Sequence, residues 1–267
     1  MSVKSNLYSV NMTQYGGAMK SRAESTRRAV RSATAPPKAK VRTKTRPKPN
    51  AKPGRGRRPA SGGAPYHHGA LDTALLEAAE RVLERDGLAG LTLRAVAREA
   101  GVSHAAPTHH FGDLSGLLSE LAAIGYRQFN AVSIAAADAA GPTADDKGLA
   151  RARAYVAYAL AHPGMYSLMF RAERLDMKRP GLDEAADAAF AGLAGSIAAQ
   201  RHEEIAAEAL SLDQAAAIVR AWSLVHGFTM LLLDGRIADI LHRLPDGTDP
   251  AALLDAMLKT PMIRPSC

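Results

Sequence analysis

The chain has 267 residues, enough for one or two domains with a substantial hydrophobic core. Hydrophobic residues make up 47% of it and aromatic residues only 5%, a balance that favours closely packed helices over a β-sheet protein. The single cysteine, Cys267, excludes an internal disulfide and an all-cysteine metal site, as is typical of a cytoplasmic protein. No run of about 20 apolar residues is present, so no membrane span is expected.

The net charge of +8 is distributed unevenly along the chain. Residues 1–66 hold 16 of the 34 basic residues and one acidic residue, Glu24, whereas the rest of the chain holds 18 basic and 25 acidic residues. Residues 1–65 are also rich in Pro and Ser and almost free of large apolar side chains, so we predict a disordered basic tail. Such a tail is typical of proteins that bind nucleic acid.

One short motif in this tail, PGRGRRP at residues 53–59, resembles an AT-hook. In such a hook the Arg-Gly-Arg core lies in the narrow minor groove of A·T-rich DNA, and here Arg55 and Arg57 would enter its negative potential. Arg58 separates Arg57 from the proline that usually follows. A solvated basic linker that contacts phosphates without sequence preference is therefore the alternative interpretation.

The first predicted helix covers about Leu71 to Arg85 and ends at Asp86-Gly87. Its apolar residues recur at helical spacing and should form one buried stripe. They are Leu75, Ala78, Ala79, Val82 and Leu83.

Two short helices around a tight turn are predicted next. Thr92 is placed to cap a helix from Leu93 to Ala100, because its hydroxyl can accept a hydrogen bond from a free N–H of the first turn. Gly101 suits the left-handed position that ends a helix, and Ser103 would cap a second helix from about His104 to His110. This arrangement is a helix-turn-helix, whose second helix can lie in the major groove of DNA.

Further helices are predicted downstream of this motif. Phe111 is expected to close the core of the small domain against Leu83 and Val96, and Asp113 to cap a long fourth helix. Pro107 is expected in the first part of the second short helix, where free donors make a missing N–H tolerable. The remaining helices are expected at about 145–161, 165–172, 183–210, 212–234 and 251–258.

The stretch LTLRAVAREAGVSHAAPTHHF at 91–111 resembles the DNA-binding head of the tetracycline-repressor (TetR) family of bacterial transcriptional regulators. The resemblance covers about 66–130 strongly and 150–260 more weakly. It implies an all-α fold, with a helix-turn-helix DNA-binding domain at 66–126 and a helical ligand-binding and dimerisation domain at 127–267, preceded by the tail at 1–65. It also implies a cytoplasmic, nucleoid-associated transcriptional repressor that binds double-stranded DNA and has no enzymatic activity.

A recognition helix reads base edges from its N-terminal part, which gives the candidate base-reading residues. Thr92 and Arg94 are suited to phosphate contacts on the preceding helix, and His67 and His68 could approach the same DNA backbone. The base-reading candidates are Ser103, His104, Ala105, Thr108, His109 and His110.

Three basic or phenolic residues common in the family are missing from this head. Relatives often carry Tyr where Thr108 stands, Lys at the position of Leu114, and a basic residue near Thr73. Each lost phosphate contact should lower DNA affinity and flatten its dependence on salt. We therefore hypothesise that the basic tail compensates for these contacts.

Residues 221–233, AWSLVHGFTMLLL, are apolar nearly all round, which predicts burial on every side and partly against a second copy. The order Trp222, His226, Gly227 resembles a C-terminal domain group within the family. The resemblance implies a homodimer whose late helices form a four-helix interface. Two-fold symmetry then places two recognition helices about one DNA turn apart on a palindromic operator.

The resemblance also implies a small-molecule pocket between about residues 120 and 235. Aromatic and soft side chains in this region suit an apolar ligand held by a few polar groups. Each of them could instead be ordinary core, and His226 a hydrogen-bonded core or interface residue. An effector would act by stabilising a conformer whose two heads no longer match the DNA spacing. The predicted ligand-binding residues are Tyr126, Phe129, Tyr158, Met169, Phe170, Trp222 and His226.

Three other functions are alternatives to this interpretation. A general nucleoid-type protein would bind DNA mainly through the basic tail. A metal-sensing repressor is suggested by the five histidines in the head, but adjacent His109 and His110 point about 100° apart on a helix, so neither a metal nor a cofactor is expected. An enzyme is not favoured, because the G-x-S-x-G, phosphate-loop and H-E-x-x-H motifs are absent from the sequence.

Overall fold

The computed structural model describes residues 68–206 and 208–260, and in these ranges the chain forms helices and no strands. The predicted all-α fold is therefore confirmed for the described residues, whereas the predictions for the tail and for His67 lie outside them. The helices are α1 His68–Gly90, α2 Leu93–Glu99, α3 Ala106–Phe111, α4 Leu114–Asp138, α5 Ala144–Ala161, α6 Pro163–Met169, α7 Pro180–Arg201, α8 Leu212–Leu233, α9 Ala238–Leu241 and α10 Pro250–Lys259, with a 3-10 turn at Ala172–Arg174.

The head of the molecule packs α1, α2, α3 and the start of α4 around one core. The stripe predicted on α1 is buried, and Phe111 lies in the same cluster as Leu83 and Val96, as expected. Helix α1 bends at Gly87, where φ is 67° and ψ is −178°. The chain thus turns near the predicted helix end, although a further helical turn follows to Gly90.

Two of the three predicted side-chain caps in the head are confirmed. The Thr92 hydroxyl accepts a hydrogen bond from the backbone N–H of Ala95 at 3.1 Å, and the Asp113 carboxylate accepts one from the N–H of Gly116 at 2.8 Å. Gly101 has a φ of 68°, the left-handed conformation that ends α2.

The predicted cap by Ser103 is wrong, because α3 begins at Ala106 rather than near His104. The residue that precedes the helix is Ala105, which makes no side-chain cap, and Ser103 uses its carbonyl to accept from the N–H of Ala106 at 3.0 Å. Pro107 accounts for the late start. Proline lacks an N–H and is stable in a helix only in the first turn, so the helix begins directly before it.

Prolines also start two helices of the body that the sequence pattern placed after chain breaks. Pro163 and Pro180 occupy the first positions of α6 and α7, where the missing N–H costs no helical hydrogen bond. The helix predicted at 183–210 ends early, at Arg201, because His202 adopts a left-handed conformation with φ 54° and ψ 41°. Helix α8 then starts with a capping box between Ser211 and Gln214.

The body is built on α4, which packs against α5 and α7, while α8 packs against α5, α7 and α10. Helix α4 runs without interruption from Leu114 to Asp138. The domain boundary proposed at 126/127 therefore falls inside a continuous helix that belongs to both the head and the body.

Helix α6 lies tightly against both the head and α4. A Cβ atom at Gly164 would lie 3.1 Å from the carbonyl oxygen of Leu83 and 3.2 Å from its Cγ, so α6 meets α1 without room for a side chain. On the other side, a Cβ at Gly125 would lie 2.7 Å from the Cγ of Met165. The short α6 is thus enclosed between α1 and α4, the two long helices that contribute to the head.

Helix α8 is the one helix among the described residues long and apolar enough, by length and composition, to cross a membrane. Length and composition are weak evidence, because the core helix of a folded protein passes the same test. In this structure α8 carries Asp213, Arg220 and His226 and packs against three other helices.

Candidate DNA interface and effector site

The residues that α3 buries against the head determine which of its other residues face outward. Pro107 and Phe111 are buried in the head. His110 is also turned inward, with 9% of its side chain exposed and its Nδ1 paired with Oδ1 of Asp72 on α1. The opposite side of α3 and the turn before it are exposed to solvent, and consist of Ser103, His104, Ala105, Thr108 and His109.

Five of the six predicted base-reading residues therefore share one exposed surface, which we call the recognition face (residues 103–105, 108 and 109). His110 does not belong to it. Its ring is turned toward Asp72 on α1 and away from the recognition face. We leave His110 out of the proposed base contacts, because a side chain held in this way cannot reach a base edge.

The predicted phosphate contacts lie on α2, beside the recognition face. Thr92 and Arg94 are exposed, and Arg94 has no ion-pair partner among residues 68–206 and 208–260. Only the backbone of His68 is described, in the first turn of α1, whereas His67, Arg55 and Arg57 lie outside the described residues.

Helix α2 is held to α1 by a pair of arginines that share one carboxylate. Arg85 Nη1 lies 2.9 Å from Glu99 Oε2, and Arg81 Nε lies 3.1 Å from Glu99 Oε1. Hydrogen bonds from Arg85 and Arg81 hold the pKa of Glu99 below its ordinary value, so this carboxylate is charged at neutral pH. These two arginines are therefore engaged in orienting α2 and leave Arg94 as the better candidate for phosphate.

The predicted ligand-binding residues come together in the body in a cluster of rings. The closest ring pairs are Phe170 with His226, whose centroids are 4.7 Å apart, and Tyr166 with Phe170 at 4.9 Å. Met169 is buried in the core next to them. We call this group the ring cluster; it consists of Tyr126, Phe129, Tyr155, Tyr158, Tyr166, Phe170, Trp222 and His226.

A polar triangle lies inside this cluster. The hydroxyls of Tyr155 and Tyr166 each lie 2.9 Å from Nδ1 of His226, and 3.2 Å from one another. The other two phenols are committed to the backbone, since Tyr126 donates to the Met169 carbonyl at 3.0 Å and Tyr158 to the Gly125 carbonyl at 3.1 Å.

Tyr155 was not among the predicted ligand-binding residues. It lies three residues before Tyr158 on α5, so helical spacing alone would have placed both on neighbouring positions of one face. Its role becomes visible only through its contacts with Phe129 on α4 and His226 on α8, which are far away in sequence.

Burial keeps the polar triangle uncharged. It raises the pKa of both phenols, Tyr155 and Tyr166, and lowers the pKa of His226, because a charged form would lose its hydration. A neutral imidazole has one nitrogen that accepts and one that donates. Nδ1 can accept from one of the two phenols, and the other phenol can donate to the oxygen of the first, 3.2 Å away, so the neutral triangle satisfies its own hydrogen bonds.

The lowered pKa of His226 predicts that the protein becomes less stable as the pH falls. The unfolded state binds the proton near pH 6.5, the ordinary value for histidine, whereas the folded state binds it only at lower pH. Stability from the neutral ring is therefore present above about pH 6.5 and is lost as the pH falls toward the folded pKa. Replacing His226 by Gln should make the melting temperature fall less between pH 7.5 and 5. Tyr155→Phe should lower it about equally at both values, and equal pH slopes for wild type and His226→Gln would contradict the prediction.

A surface hollow of about 620 Å³ opens elsewhere, beside Tyr158. The ring of His162, which lines it, lies 5.0 Å from the ring of Tyr158. Its other walls are charged side chains of α1: Glu77, Glu80, Arg81, Glu84 and Arg85. The charged groups of both signs around this hollow distinguish it from the ring cluster, whose contacts are between uncharged rings. Among the described residues, no group of three or more His, Cys, Asp or Glu could hold a metal ion.

One exposed face of α8 carries large apolar side chains. Leu212 is 88% exposed, Val219 55%, Met230 38% and Leu231 48%. Leu212, Val219 and Met230 are separated by 7 and 11 residues, close to two and three helical turns, so they lie on one side of the helix. A Cβ atom at Gly227 would meet nothing within 4 Å, so the backbone itself is open there. The predicted burial on every side is therefore not provided by one copy of the chain.

The chain is similar in sequence to known regulatory proteins. Residues 75–121 match the family model described as bacterial regulatory proteins, tetR family, and residues 149–260 match the tetracyclin repressor-like C-terminal domain. An uncharacterized HTH-type transcriptional regulator of Mycobacterium tuberculosis is 29% identical over 194 residues, which is 68% of this chain and 84% of that protein.

Solved structures share the fold. A protein of unknown function from Rhodococcus sp. RHA1 is 35% identical, with a TM-score of 0.57, over 73% of this chain and 94% of that one. The transcriptional regulator FadR from Bacillus subtilis, solved in complex with stearoyl-CoA, is 17% identical with a TM-score of 0.51, over 70% of this chain and 95% of that one. At that identity the second likeness concerns the fold only.

Proposed function

Because this chain belongs to the TetR family of bacterial transcriptional regulators, which are not enzymes, we propose that it is a dimeric cytoplasmic repressor released from a palindromic operator by a small apolar ligand. The observation that carries the DNA-binding part is the recognition face. Its residues are exposed together on α3 and the turn before it, while Pro107, Phe111 and His110 lie on the inner side of that helix. The recognition face reads bases in the major groove, and Thr92 and Arg94 contact phosphates beside it.

The dimer is supported by the exposed apolar face of α8. Large apolar side chains grouped on one helix face favour burial against another protein surface, since burial yields roughly 25 cal/mol for each Å² removed from water. Val219, Met230 and Leu231 would pack against the same residues of a second copy, as a two-fold axis requires. Two copies would place two recognition faces on one side of a DNA duplex.

The effector site is proposed at the ring cluster. Its aromatic walls suit an apolar ligand, and the Tyr155–Tyr166–His226 triangle places polar atoms inside them with which a ligand can exchange hydrogen bonds. No charged side chain takes part in the ring contacts of this cluster, and an ionised ligand would lose its hydration there without a partner of opposite charge. We therefore propose an uncharged, largely apolar effector with one oxygen that hydrogen-bonds to this triangle.

DNA selectivity tests the proposed function. In selection from random duplex DNA, the full chain should enrich one palindromic sequence and bind it roughly 10³-fold more tightly than unrelated DNA. A nucleoid-type protein that acts through its basic tail would instead bind all sequences with similar affinity, and that result would refute the proposal.

A truncated chain separates the contributions of the head and the tail in the same assay. Residues 60–267 should keep the sequence preference and lose affinity, with a smaller dependence on salt, because the tail holds most of the cations that displace counterions from DNA. Equal affinities and salt slopes for 1–267 and 60–267 would show that the tail does not compensate for the missing phosphate contacts. The same result would speak against minor-groove insertion by Arg55 and Arg57.

A further inference from the structure

The recognition face lacks the side chains that read guanine and adenine most strongly. Arg or Lys makes the commonest specific contact to guanine, and Asn or Gln makes the corresponding pair of hydrogen bonds to adenine. None of these four residue types occurs between Gly101 and Gly112, and neither does Asp or Glu, which would accept from cytosine. Direct reading by α3 must therefore use hydroxyls, imidazoles and methyl groups.

Two methyl groups stand out on this face. Ala105 ends in its Cβ methyl, and Thr108 carries a γ-methyl three residues further along; both side chains are exposed. Residues three apart lie side by side on a helix, so the two methyls form one small apolar spot. The base edge that matches such a spot in the major groove is the C5-methyl of thymine, which no other base presents.

We infer that thymine methyl groups are the principal base feature that α3 reads, and that Ala105 and Thr108 are the residues that read them; at position 108 this departs from the relatives whose tyrosine contacts a phosphate. This inference rests on the proposed operator binding. The hydroxyls of Ser103 and Thr108 do not discriminate as strongly, since serine and threonine can hydrogen-bond to several bases. His104 and His109 flank the methyl spot and can bond to neighbouring base edges or phosphates.

Replacing thymine by deoxyuridine tests this inference, because the change removes the C5-methyl and leaves base pairing intact. It also leaves the minor groove acceptors unchanged, so any reading by the basic tail there is not affected. In the operator selected with the full chain, replacing one thymine that α3 contacts should raise Kd by about fourfold, the effect of one buried methyl-sized group. Replacement in both half-sites should raise Kd by roughly 15-fold, and replacement in the flanks should leave it unchanged.

Variants of Thr108 link the effect to this residue. Thr108→Ser removes the methyl and keeps the hydroxyl, whereas Thr108→Val keeps a methyl and removes the hydroxyl. The serine variant should bind thymine and deoxyuridine operators with a smaller difference in Kd than the wild type, because only the Ala105 methyl remains, while the valine variant should keep the full difference. Thr108 is exposed, so both variants should fold, which their melting temperatures would verify.

The result that would overturn this inference differs from the result that would refute the proposed function. The inference is overturned if deoxyuridine leaves Kd unchanged throughout the half-site while 7-deazaguanine, which removes the N7 acceptor, raises it. In that case the imidazoles read guanine, and the protein still qualifies as an operator-binding regulator. Failure of the selection to enrich any sequence would instead refute the proposed function itself.

Discussion

Replacing Leu231 by glutamate is expected to convert the protein to monomers and to lower operator affinity by roughly 100-fold or more. Leu231 is 48% exposed and follows Met230, about 100° round the helix, so it lies at the edge of the apolar face of α8 where we propose the contact between two copies. A carboxylate there would have to be buried without a partner of opposite charge, which costs several kcal/mol. Loss of the second head removes the gain from bivalent binding, which is on the order of 10² to 10⁴ in affinity. Light scattering after gel filtration and DNA titration measure the two effects.

Leu160→Glu is the matched control for this variant. Leu160 is 49% exposed, nearly the same as Leu231, but it lies at the end of α5 rather than on the apolar face of α8. This variant should remain dimeric and bind the operator as the wild type does. If Leu231→Glu also stayed dimeric, the proposed interface would have to be placed on another surface.

Replacing Phe111 by alanine should lower the free energy of unfolding by about 3–5 kcal/mol, the usual cost of removing a buried phenylalanine side chain. Phe111 is 6% exposed and shares the core of the head with Leu83 and Val96. It is also the last residue of α3, so the cavity opens directly under the recognition face. Urea unfolding would measure the loss, and operator affinity should fall as α3 loses its fixed orientation.

Thr108→Ala distinguishes packing from surface effects at the same helix. Thr108 is exposed, so its replacement should change stability by no more than about 0.5 kcal/mol. A loss below about 1 kcal/mol for Phe111→Ala would mean that the head does not depend on this ring, contrary to its burial.

Features decided by neighbouring residues could be predicted from the sequence. The caps of Thr92 and Asp113 involve an N–H three residues away, and the left-handed Gly101 requires only the lack of a side chain. Ser103 has the same capping chemistry, but Pro107 sets where its helix begins. The early end of α7 at His202 had no glycine or proline to signal it.

Features decided by distant residues could not be predicted in this way. His110 belongs by spacing to a recognition helix, yet Asp72, 38 positions earlier in the chain, turns its ring inward. Tyr155 joins the polar triangle only because α8 brings His226 to it. The apolar residues of α8 could be seen in the sequence, but which of them one copy leaves exposed depends on the packing of α5, α7 and α10.

The close approach of Gly164 to Leu83 determines in which direction movement can pass between α6 and α1. Repulsion between atoms in contact rises steeply, whereas attraction across a gap is about 0.1–0.2 kcal/mol for each atom pair and fades within an ångström or so. Since a Cβ atom at Gly164 would already lie 3.1 Å from the Leu83 carbonyl oxygen, α6 has little room to advance without displacing α1, whereas a retreat of α6 opens a void. This contact can therefore transmit a push from α6 to α1 but not a pull. If the proposed ligand acts on the head through this contact, it can push α1 but cannot pull it, so the return of the head to its DNA-binding position must depend on other contacts.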